Sequence, residues 1–205
     1  MRLGFSTSND DVRASLRYFR KALRLAEHLR DIKKTITIYD ELGHLYHTLG
    51  KYDSSLVFHR HSLTLALANN DAYQASDAYE GIAQTFLRLT QLDSARDNLQ
   101  KGLSYAVKSN DYVGQSDFYN LWGNIFLEEG NDAEAIHKFI VAARLQDSLV
   151  HDPVRQSRAL LNIANIENKL GNPEKALGYA REAQLMAEGG VVDLGSAYAS
   201  QLIGR

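Results

Sequence analysis

Between Tyr119 and Phe126 the apolar and small residues Tyr119, Trp122, Gly123 and Phe126 fall at i, i+3, i+4 and i+7. That spacing places them on one face of a helix. Beyond Gly130, Ala135, Phe139 and Ala142 continue the helical spacing and predict a second helix. The alternation returns about every 40 residues. Tyr39, Tyr79 and Tyr119 form one column, with Leu160 next in line. Gly43, Ala83, Gly123 and Ala164 form a column of small residues, and Tyr46, Phe86 and Phe126 an aromatic one that Glu167 breaks. Gly50, Thr90, Gly130 and Gly171 mark one recurrent turn, and Asp31, Asp71, Asp111 and Asp152 a second.

Each unit is therefore expected to be a helix, a tight turn and an antiparallel helix. In Gly171-Asn172-Pro173, Gly suits a left-handed helix end, Asn a cap and Pro a first helical position. The recurrent aspartates Asp31, Asp71 and Asp111 are placed to cap the first helix of each following unit, where a carboxylate meets free N–H groups. The small column is where two helices cross at roughly 8–10 Å, and the neighbouring aromatics fill the space beside it. Core packing thus accounts for the tyrosine column and Trp122 without a cofactor.

The expected organisation is a single array over 1–205: a half unit at 1–30, units at about 31–70, 71–110, 111–151 and 152–190, and an incomplete unit at 191–205. Ser15, Phe19 and Ala22 take second-helix positions of the half unit, and Tyr198 and Leu202 the apolar face of the last helix. Such ragged ends suggest a fragment or a shortened product, or else a last helix that serves as a cap.

Composition narrows the chemistry. Lys and Arg number 23 against 25 Asp and Glu, a net charge of -2, so no summed field attracts nucleic acid or an anionic membrane. With no cysteine, disulfides, thiolate metal sites and cysteine nucleophiles are excluded. Only 2 prolines fit a mostly helical chain. No stretch reaches the roughly 18 apolar residues of a membrane span, and Met1–Asp10 holds no apolar leader segment. The expected compartment is the cytoplasm, or the periplasm if a leader has been removed.

The motifs resemble the tetratricopeptide repeat family. Tyr39-x2-Leu42-Gly43-x2-Tyr46 carries its pattern, as does Tyr119-x2-Trp122-Gly123-x2-Phe126 followed by Ala135-x3-Phe139-x2-Ala142. Looser copies are Tyr79-x2-Ile82-Ala83-x2-Phe86 with Ala95-x3-Leu99, and Leu160-x2-Ile163-Ala164 with Ala176-x3-Ala180. The unit is longer than the usual ~34 residues and lacks the closing Pro, as in the long-unit branch of the family.

The resemblance implies an all-α fold, a right-handed superhelix of antiparallel helix pairs whose inner groove is lined by the first helix of each pair. The groove positions it assigns include Asp40, Glu41 and His44, then Asp77, Glu80 and Gln84, then Asp117, Asn120, Leu121 and Asn124, and finally Arg158, Leu161, Asn162 and Asn165. The amino-terminal half is acidic and should prefer a partner with Lys or Arg. The carboxy-terminal half is rich in amides. Asn offers both a donor and an acceptor, so a row of them can pair with an extended peptide backbone. Long-unit members use inward asparagines in this way, and Asn124 and Asn165 stand at the matching position. The alternative is a merely polar helix surface. The family's carboxylate clamp needs Lys and Asn where this chain has Asp40 and His44, so an acidic tail is not the expected ligand.

Glu41, His44 and His47 lie at i, i+3 and i+6, a spacing that raises metal ligation. One helix rarely converges three ligands, so a solvated groove is the preferred reading and no metal or other cofactor is assigned. His59 stands where a packed aromatic is usual and is expected to be partly buried and hydrogen-bonded. No phosphate loop, dinucleotide fingerprint or nucleophile elbow occurs, so an enzyme is not expected. The functional expectation is an interaction scaffold holding a peptide segment of a partner protein. The alternative is an input module of a larger bacterial signalling protein, a histidine kinase or transcription regulator. Self-association through the unfinished ends is a third.

Overall fold

The computed structural model describes residues 9–146 and 152–189. Their elements are all α-helices, in the order α1 (Asn9–His28), α2 (Ile32–Thr48), α3 (Tyr52–Ala68), α4 (Ala72–Arg88), α5 (Leu92–Lys108), α6 (Tyr112–Glu128), α7 (Asp132–Leu145), α8 (Pro153–Lys169) and α9 (Pro173–Gly189). The segment 191–205, with Tyr198 and Leu202, lies outside the described residues.

Turn chemistry sets these boundaries. Gly50, Gly130 and Gly171 have φ of 69°, 73° and 78°. This left-handed conformation lets the next N–H reach back to the helix, as Lys51 does to the Tyr46 carbonyl at 2.9 Å. Thr90 adopts φ 56° at the same place, without glycine's freedom. The second turn uses Arg30, Asn70 and Asn110 at φ 53–54°. The aspartate that follows each of these caps the next helix. Asp31 accepts from the Lys34 N–H at 3.1 Å, Asp71 from Gln74 at 3.2 Å and Asp111 from Gly114 at 3.0 Å. Asp152 accepts from both Val154 and Arg155.

The chain packs as two compact units, 1–105 and 106–205. In the first, α2 lies against α1 and α3, and α4 against α3 and α2. Ile36, Ala66 and Ala75 form a buried cluster there with Leu63, Leu65 and Tyr105 around it. The Ser76 hydroxyl donates to the Gly102 carbonyl, closing α4 onto the helix after it. In the second unit α6 packs on α7, α7 on α8 and α8 on α9. Its core joins Phe139, Leu160, Ile163, Ile166 and Ala183.

The small column does what the spacing predicts. A Cβ on Gly123 would stand 2.7 Å from the Phe139 ring, so glycine is what lets that ring enter. Ala22 is exposed, whereas Ser62, Ala142 and Ala183 at equivalent positions are buried. Each of those three lies on a helix preceded by the first helix of its own pair, and no described helix precedes α1. Ala26, one turn on, is buried.

Candidate functional site

In the first unit, α2 and α4 carry the expected groove positions. Asp77, Glu80 and Gln84 are half-buried on α4, and the Gln84 side-chain amide donates to Glu80 Oε1 at 2.6 Å. Glu41 is exposed and His44 half-buried on α2. Asp40 is different, being only 9% exposed. Both its carboxylate oxygens are engaged by imidazoles. His59 Nδ1 donates to Oδ1 at 2.8 Å, and His44 Nε2 lies 3.3 Å from Oδ2. Burial alone would raise the Asp40 pKa, but the hydrogen bonds from His44 and His59 outweigh it and hold the carboxyl well below its usual range.

His59 comes from α3 and is completely buried. Its ring occupies the place of the packed aromatic and is held by two glycines: a Cβ would fall 2.6 Å from it at Gly43 and 2.2 Å at Gly81. Its Nε2 is buried with no hydrogen-bond partner. The His44 and His59 rings meet edge to face, with centroids 4.8 Å apart. His47, one turn along α2, is half-buried, and burial followed by the Arg88 charge lowers its pKa.

In the second unit Asn124 and Asn165 are exposed, on α6 and α8 respectively, and Arg158 is exposed as well. Asn162 is half-buried, and Asn120 has its Oδ1 buried without a partner. Asp117 does not present a lone charge, because Arg155 at the start of α8 is ion-paired to it and also lies 3.2 Å from Asp152. Leu121 and Leu161, expected on the inner wall, are 9% and 7% exposed, and Leu161 belongs to the core.

The structure thus brings Asp40 and His44 together with His59, a contact that reasoning along one helix missed. The available signal was a histidine in an aromatic column facing a glycine. Of the five acidic positions, Asp40 and Asp117 face internal counter-groups and Glu80 accepts from Gln84, so the expected acidic stretch is not a row of lone charges.

Stacked antiparallel helix pairs with small crossing residues and paired turn signals define a helical-repeat protein. The tetratricopeptide repeat family model matches residues 35–106, and solved structures similar to this chain include a protein with a tetratricopeptide repeat sensor. Among solved structures, aspartyl phosphate phosphatase F from Bacillus subtilis is similar at 19% identity and a TM-score of 0.79, covering 91% of this chain and 48% of that one. A Signal Transduction ATPase with Numerous Domains protein with a tetratricopeptide repeat sensor, from Pyrococcus horikoshii, matches at 19% identity and 0.74, over 93% of this chain and 28% of that one. BtubC from P. vanneervenii matches at 21% identity and 0.73, over 89% and 76%. These likenesses are of fold, and this chain spans under half the length of the first two. No curated protein matches the sequence. Among the described residues no helix is long and apolar enough to cross a membrane.

Proposed function

We propose that this array holds an extended peptide segment of a partner protein, with Asn124 and Asn165 pairing to the peptide main chain. The observation that carries the reading is the exposure of these two amides at equivalent positions of successive first helices. Each offers a donor and an acceptor, so together they read backbone rather than side chains. In the first unit, Glu41, Asp77 and Glu80 favour a partner segment with Lys or Arg. The test begins with a pull-down using the intact parent protein and peptide mapping of what it captures. Asn124→Ala with Asn165→Ala should then weaken the mapped peptide at least about tenfold, two lost hydrogen bonds being ample for that, with the helical circular dichroism unchanged. Undiminished affinity in the double variant would count against the proposal.

A second reading is favoured by the similarity to a signalling ATPase with a repeat sensor, of which this chain covers 28%. On that reading the array is the input module of a larger signalling protein, and peptide capture is its signal. A kinase or DNA-binding segment encoded beyond Arg205 would support it, and a stop codon soon after Arg205 would weaken it.

A further inference from the structure

We infer that Asp40, His44 and His59 form a binding site for a divalent transition cation of the zinc class. One ligand atom from each residue can be chosen so that all three lie within 4.8 Å of one another. Zinc bonds of about 2.0–2.2 Å to nitrogen and oxygen place neighbouring ligand atoms about 3.3 Å apart in a tetrahedron. Asp40 Oδ1 lies 2.8 Å from His59 Nδ1, and Asp40 Oδ2 lies 3.3 Å from His44 Nε2, at or below that value. The His44 side chain is 35% exposed and leaves a way in from solvent.

Three features favour an ion over a mere hydrogen-bonded cluster. The donor set is one carboxylate and two imidazoles, the ligand chemistry of zinc and its borderline neighbours. The Asp40 charge sits in a largely buried place, where the attraction of a cation is little screened. The buried ligand His59 is fixed before any ion arrives, because its ring is clamped at Gly43 and Gly81. Coordination replaces the two N–H donors that now face the carboxylate, and each neutral ring keeps its proton on the other nitrogen. For His59 that nitrogen is Nε2, which has no partner without the ion either. A fourth position remains toward His44 for water or a donor from a bound partner. The site does not depend on the peptide-groove reading, since none of its ligands is an amide of the second unit.

The test is a titration of the full, chelator-treated chain with Co2+, followed by the visible bands of low-coordinate cobalt, and with Zn2+ by calorimetry. One ion per chain is expected. His44→Ala, a change at a half-exposed position that leaves the fold intact by circular dichroism, should weaken it at least about tenfold, and Asp40→Asn likewise. His47→Ala should change affinity less than about twofold, because that ring is outside the cluster. The proposal is overturned if the wild-type chain binds neither ion, or if His44→Ala and Asp40→Asn bind as the wild type does. It is equally overturned if His47→Ala abolishes binding while Asp40→Asn does not, which would put the ion on a surface pair of α2.

Discussion

Asp40 shows how one residue can look like surface and act as interior. The family resemblance assigns it to the inner wall, yet its partner His59 is 19 residues on, across the turn between α2 and α3. Spacing along one helix cannot reveal that contact. The glycine column and the histidine in an aromatic column were both legible, and their meeting was not. The pairing has a pH consequence. An unfolded Asp titrates near about 3.9, and the folded Asp40 titrates lower because His44 and His59 hydrogen-bond its charged form. The stabilisation is therefore fully present above that value and is lost as pH falls through the lower, folded one. The lowered His47 acts in the same direction across the histidine range. Urea unfolding from neutral to acid pH should show a steeper loss for wild type than for Asp40→Asn, and parallel curves would refute the assignment. Thr90 offers a second check at this scale. It alone of its column adopts a left-handed φ without being glycine, and Thr90→Gly should raise stability by about 1 kcal/mol in the same assay. A loss would mean that the Thr90 side chain contributes something its strain conceals.

At the scale of elements, the helix pairs were legible because the same constraints repeat. Among the described residues seven turns hold a left-handed residue, four helix starts are capped by aspartate, and the crossings hold a small side chain. The Gly123–Phe139 contact makes this quantitative. Gly123→Ala would set a methyl carbon 2.7 Å from the buried ring, and such overpacking costs about 1–3 kcal/mol. Thermal unfolding measures it, and an unchanged Tm would show that α6 and α7 can move apart freely. What the repeat could not supply was the exact inner face. Leu121 and Leu161 follow the groove register but fall into the core, since a helix packed on both sides buries a wider stripe than one. Nor could it show that Arg155 pairs with Asp117, 38 residues away. The exposed Ala22 of α1 has a related reason: second-helix positions are buried by the first helix of their own pair, and α1 has none among the described residues.

For the whole molecule, residues 35–106 match the tetratricopeptide repeat model, and on the proposed scaffold reading the choice of partner lies with a few side chains. That proposal assigns the choice to the exposed amides Asn124 and Asn165 in the second unit, and to Glu41, Asp77 and Glu80 in the first. The most direct measurement is the set of side-chain amide resonances of the full chain, recorded by NMR as the mapped partner peptide is added. Shifts in the NH2 signals of Asn124 and Asn165 that saturate with the binding isotherm are the expected result. Saturable binding that leaves both signals in place, with changes confined to other surfaces, would contradict capture of a peptide backbone by these amides.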